Sequence, residues 1–172
     1  MRVNSERKTV IIDASSAILV YKAGLLGVVA GEYRVITARS VRDELTVAGR
    51  DGAEQFINHF SSGEIETSFD FKCCLPALPL RGGEKDAVLL YLSGGADFII
   101  MDDGEGAAYC RANSIPFINA LLVPRILFLS GRIGRRAMKS ATDKILRMGR
   151  YAEWVVEYAR TCSTADLQVF FP

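Results

Sequence analysis

The 172-residue chain predicts an α/β domain: a three-layer α/β/α sandwich around a mostly parallel sheet, with a helical extension at its carboxyl end. Three observations carry this. The short apolar runs Val10-Ile11-Ile12, Val35-Ile36, Phe98-Ile99-Ile100 and Phe117-Ile118 are mostly continuous rather than alternating, as in strands buried on both faces. Stretches with helical spacing and capping residues separate them, so successive strands are joined by crossovers and lie parallel. Acids follow two of these runs at once, at the carboxyl edge where open α/β sheets place their ligands.

Each element has its own signal. Thr9 to Ile12 is a strand ending on Asp13, with Ser15 or Ser16 capping the helix that follows. Ala14 to Tyr21 and Gly24 to Ala30 give one helix, a bend and a second. After the extended Arg34 to Ile36, Thr37 or Ser40 starts a helix whose buried face carries Val41 and Leu45; Glu44, three residues beyond Val41, leans toward that face. Gly52 to Ser62 is amphipathic, with Phe56, Ile57 and Phe60 on its apolar side, and Ile65 to Phe69 alternates like a strand. Two prolines and two glycines make Cys73 to Gly83 a loop. Glu84 to Leu92 opens acids first, which suits the positive end of a helix dipole, and Gly94-Gly95 stops it. Phe98 to Met101 is a buried strand ending on Asp102-Asp103, followed by a helix over Ala107 to Asn113. Pro116 to Ile118 is a further strand, and Leu121 to Ser130 a helix that tolerates Pro124 in its first turn. Lys139 to Arg160 reads as one longer polar helix, so the chain divides into a domain over 1–135 and an extension over 136–172 packed on it.

Composition excludes several classes. With 49% hydrophobic and 24% charged residues the chain is globular rather than disordered. The charged start, Met1 to Lys8, leads into too few apolar residues for a signal peptide, and Lys22 and Arg125 interrupt the runs that approach a membrane span, so the expectation is a cytoplasmic protein off the membrane. Cys73, Cys74, Cys110 and Cys162 lack metal-binding spacing and read as thiols. Charge is uneven: between Arg125 and Arg150 eight Lys and Arg face one acid, Asp143. Within this run Arg132, Arg135, Arg136 and Lys139 are candidate phosphate contacts, against the plainer reading of a solvated basic face. Tyr151, Trp154 and Tyr158 fall on one helix stripe and could stack on bases, although packing or a dimer contact weighs more.

The acids need an account. Asp13 and Asp102-Asp103 end apolar strands, while Glu44, Glu84 and Asp86 lie in or near helices that start at the same sheet edge. Two carboxylates about 4 Å apart repel by roughly 4 kcal/mol at an effective dielectric near 20, so such a cluster must bind protons or cations. Oxygen donors alone select hard ions, Mg²⁺ or Mn²⁺. A receiver-like phosphoacceptor also gathers acids at strand ends but needs a lysine after a later strand, where this chain has Phe117-Ile118-Asn119. A paired-acid phosphatase is disfavoured because Ser15, not an acid, stands two after Asp13.

Asp13 with Ser15, Glu44 in a TxxSVxxEL setting, Gly83-Glu84-Lys85-Asp86-Ala87 opening a helix, and Ile100-Met101-Asp102-Asp103 closing a strand together resemble a PIN domain over about Val10 to Ile133. The nearest likeness is the small prokaryotic branch whose third motif reads G-E-x-E/D-A. The resemblance implies a metal-dependent ribonuclease, often the toxin of a toxin–antitoxin pair, with RNA and an antitoxin as partners. By motif position it makes Asp13, Glu44, Asp86 and Asp103 the catalytic acids, and Asp13, Asp86, Asp103, Glu84 and Asp102 the Mg²⁺ or Mn²⁺ ligands. Ser15 supports them. Glu84 and Asp86 cannot share a helix face, and Asp103 is preferred to Asp102 by motif position. The alternative is a PIN-like module that binds RNA or protein without cutting. His59, the only histidine, sits in an ordinary amphipathic helix, and a homodimer is expected through Leu25–Val29 or Tyr151–Tyr158.

Overall fold

The structure, a computed structural model, describes residues 7–68 and 77–172. Strands β1 (Thr9–Ile12), β2 (Arg34–Ala38), β3 (Ile65–Ser68), β4 (Phe98–Ile100) and β5 (Phe117–Ile118) form one sheet in the order β3-β2-β1-β4-β5. Every neighbouring pair is parallel. The helices are α1 (Ala14–Lys22), α2 (Leu26–Glu32), α3 (Arg39–Leu45), α4 (Ala53–Ser61), α5 (Gly82–Leu92), α6 (Gly104–Ala112), α7 (Val123–Leu129), α8 (Arg135–Met148), α9 (Glu153–Thr161) and α10 (Thr164–Leu167).

The chain winds outward from β1 to β3, then returns to β4 on the other side of β1. The winding therefore reverses between β1 and β4, which opens a crevice at their carboxyl ends. The side chains of β1 alternate between two cores. Val10 and Ile12 join a larger one with residues of α1, α2, α7 and α8, and Ile11 a smaller one with residues of α5 and α6. All three are wholly buried, each contributing roughly 1.5–3 kcal/mol, which is why the run carries no polar residue. Helices thus cover both faces of the sheet, the sandwich the sequence predicts.

Details differ for local reasons. Ala14 is already helical, so Asp13, in extended backbone, caps α1 itself in place of Ser15 or Ser16. Thr37 stays in β2 and donates its hydroxyl to Ile12 O at 3.0 Å, leaving α3 to begin at Arg39 without a side-chain cap. Helix α4 buries Ala53 and Phe56, with Phe60 packed beside them; that stripe leaves Ile57 46% exposed. Phe69 and Cys73–Pro76 lie outside the described residues.

The expected single helix over Lys139 to Arg160 is two, α8 and α9, broken at 149–152. Gly149 is extended, and a Cβ there would run into the Tyr151 ring, so the absence of a side chain lets that ring close against the end of α8. The extension is tied to the domain: Ala141 and Ile145 of α8 enter the larger core, Tyr33 Oη donates to Phe170 O at 2.6 Å, and the Phe170 ring meets Phe98 edge-on. Among the described residues no single helix is long and apolar enough to cross a membrane.

Candidate active site

Asp13, at the end of the central strand β1, is a buried residue, 3% exposed. Oδ1 accepts from Ser16 N–H at 2.8 Å and Oδ2 from the Ser15 hydroxyl at 2.9 Å. Burial pushes this carboxyl up to about 6, with the charge of Asp102 adding to the effect and the serine hydrogen bonds opposing it.

Asp102 stands two residues beyond the neighbouring strand β4. Its Oδ2 accepts from the Ser16 hydroxyl and from Ala120 N–H, both at 2.8 Å, and its Oδ1 from Tyr151 Oη at 2.5 Å. Burial raises Asp102 as well, against those three bonds. Ser16 therefore joins the two acids, one through its N–H and the other through its hydroxyl. Behind them on α6, burial and then the Asp13 charge push the Cys110 thiol up to about 11, which leaves it inert.

The other candidate acids each have one oxygen engaged. Asp103 Oδ1 caps α6, accepting from Glu105 N–H and Gly106 N–H at 2.9 Å. A Cβ on Gly106 would lie 2.7 Å from Met101 Sδ and 3.2 Å from Glu84 Cβ, so a glycine lets α6 close against both. Glu84 Oε1 accepts from Arg81 N–H at 3.3 Å, and Asp86 Oδ2 from the Ser40 hydroxyl at 2.5 Å, which ties α5 to α3. Glu44 is exposed rather than turned to the core, pairing with Arg50 at 3.5 Å beside Gly83. Among the described residues no three His, Cys, Asp or Glu side chains come close enough to hold one ion. The pair the structure joins is Asp13 with Asp102.

Two cavities are lined by Asp102, the outer acid of the pair, whereas Asp13 lines neither. One of about 370 Å³ is lined by Ser15, Asp102, Arg150 and Tyr151 among others; the second, of about 270 Å³, shares Asp102, Arg150 and Tyr151 and extends to Trp154.

A family model described as a PIN domain matches residues 9–158. The chain belongs to the PIN-domain family. No curated protein and no solved structure matches it. A PIN domain is a nuclease-type fold that typically uses divalent metals. The donor chemistry at the crevice fits such an ion: a buried carboxylate and a half-buried one, a serine between them, oxygen throughout, and a mutual repulsion that a hard cation would relieve. The PIN match runs past the break before α9, so Tyr151, which reaches Asp102, lies inside the family region.

Of the basic candidates, Arg132 pairs with Glu32 at 3.1 Å and Arg135 lies over the Phe128 ring, while Arg136 and Lys139 are exposed near the start of α8. Two residues of this PIN site escaped sequence reasoning. Ser16 carried a signal only as a cap; Tyr151 read as part of an aromatic helix stripe, but it stands before α9 and its phenol holds Asp102, 49 residues away, a contact with no signal in the sequence.

Proposed function

We propose that this PIN domain is a metal-dependent ribonuclease that hydrolyses RNA phosphodiester bonds with Mg²⁺ or Mn²⁺. The observation that supports it is the Asp13–Ser16–Asp102 bridge, which holds two desolvated acids together at the reversal point of the sheet. Asp13 and Asp102 would hold the ion, with Glu84, Asp86 and Asp103 as further acids of the same edge. When bound, the ion supplies a Lewis acid that lowers the pKa of a water and stabilises charge on the phosphate.

The chain's own side chains do the positioning. Ser16 sets the orientation of both carboxylates, Ser15 occupies the second oxygen of Asp13, and Tyr151 steadies the outer oxygen of Asp102. Exposed Arg136 and Lys139 offer contacts to the RNA backbone. In-line attack of water on phosphorus with the 3′-oxygen as leaving group breaks the P–O3′ bond, so one product carries a 5′-phosphate and the other a 3′-hydroxyl. The test is cleavage of a labelled single-stranded RNA by the full chain: cutting should need Mn²⁺ or Mg²⁺ and vanish in Asp13→Asn and Asp102→Asn. Undiminished cleavage by Asp13→Asn overturns the reading.

One observation favours a PIN module that binds without cutting: no three acids meet among the described residues. RNA binding with no turnover at any Mn²⁺ concentration would establish that alternative. A role as the toxin of a toxin–antitoxin pair rests on the motif resemblance. Growth arrest on expression, relieved by Asp13→Asn, is its test.

A further inference from the structure

We propose that the cavity between α6, the turn after β5 and α9 is a nucleotide subsite, taking one unpaired base of the strand whose backbone lies at Asp13 and Asp102. The proposal rests on the ribonuclease reading for the identity of that strand. At about 270 Å³ the cavity falls just under the usual small-ligand range of roughly 300–1,000 Å³, room for a single ring system rather than a base pair.

Its walls supply what a nucleotide requires. Trp154, 61% exposed, and Tyr158, 43% exposed, stand one turn apart on α9 and present flat apolar rings to the opening. Every base has a π-face, so stacking there does not depend on sequence. The Arg111 guanidinium lies over the Trp154 ring, 5.4 Å from its centre, and Arg150 lines the same cavity. Among the described residues neither arginine has an acid partner, so both charges remain for a phosphate. Asn119 Oδ1 is taken by Leu122 N–H at 3.2 Å, which leaves its amide N–H groups to donate to a base edge.

Position completes the argument. Asp102, Arg150 and Tyr151 line both this cavity and the larger opening beside Ser15, so a base in one is adjacent to a phosphate at the other. An apolar protein segment would leave two arginines and an amide unpaired, whereas a nucleotide uses all three.

Trp154 is the only tryptophan, so its fluorescence reports on this cavity alone. In EDTA, where no cutting occurs, a ten-nucleotide single-stranded RNA of mixed sequence should quench the full chain's emission saturably, and Arg111→Ala should weaken that response. By anisotropy of the labelled RNA, Trp154→Ala should bind about 5- to 150-fold more weakly, the usual loss of one stacked base, and Trp154→Phe should recover most of it. No quenching together with unchanged binding by Trp154→Ala overturns the subsite, and cleavage that persists in Mn²⁺ would then leave the ribonuclease reading standing. Quenching and Trp154-dependent binding without cleavage in Mn²⁺ support the subsite and remove the ribonuclease reading instead. Emission that follows protein concentration and ignores RNA assigns this face to a second copy of the chain, and overturns the proposal.

Discussion

Asp13→Asn should make the metal-free protein more stable, and by an amount that depends on pH. The Asp13 carboxyl rises from 3.8 to about 6, chiefly through burial. At 1.36 kcal/mol per pH unit, holding it ionised costs the folded state about 3 kcal/mol. The native chain keeps this proton at pH values where the unfolded chain has released it, so stability falls as pH rises from about 4 to 6 and stays lower above. Asparagine retains an oxygen for Ser16 N–H and remains a good helix cap, while the Ser15 hydroxyl must turn to accept, a loss of about 1 kcal/mol. The net gain at pH 8 is about 2 kcal/mol, or roughly 4–8 °C in Tm for a domain of this size. At pH 4 the gain should vanish. Thermal unfolding followed by circular dichroism in EDTA across this range measures both. A Tm difference independent of pH, or a wild type that is the more stable at pH 8, would refute the desolvated acid. Mn²⁺ should reverse the order, raising the wild-type Tm by mass action and leaving Asp13→Asn unmoved.

Other variants probe neighbouring contacts. Tyr151→Phe removes the hydrogen bond to Asp102 and should cost about 0.5–3 kcal/mol in urea unfolding; no loss would show that the phenol does not hold the acid. Gly106→Ala places a methyl 2.7 Å from Met101 Sδ and should destabilise by about 1–3 kcal/mol, with a lower Tm as readout; an unchanged Tm would mean Met101 swings aside freely. Removing Arg136 and Lys139 should flatten the dependence of log RNA affinity on log salt by about 0.7 per charge, and an unaltered slope would place α8 off the RNA path.

The fold was legible where burial writes itself into composition. Val10-Ile11-Ile12 and Phe98-Ile99-Ile100 face helices on both sides, so nothing polar interrupts them, and the acids after them mark the sheet edge without further information. Side-chain orientation beyond the strand ends was not legible. Asp102 and Asp103 are adjacent, and only the tertiary structure turns one toward Ser16, Ala120 and Tyr151 and the other into the α6 cap. Glu44 looked core-facing from its spacing to Val41, but α3 is only seven residues long and Arg50, just beyond it, draws the carboxylate outward. The break at Gly149 was hidden for a similar reason: helical periodicity continues through it, and the close approach of the Tyr151 ring to a residue without a Cβ is visible only in the tertiary structure.

The two joined acids are not held with equal stiffness. Asp13 follows a strand laddered on both sides, and its own N–H still bonds Ile100 O at 3.2 Å, so it is the fixed jaw of the pair. Asp102 hangs beyond its strand on three tethers, one of them thrown across from the junction of α8 and α9. The α8–α9 junction is thereby coupled to one carboxylate oxygen of Asp102 alone, the other being held by Ser16 and Ala120 at the sheet.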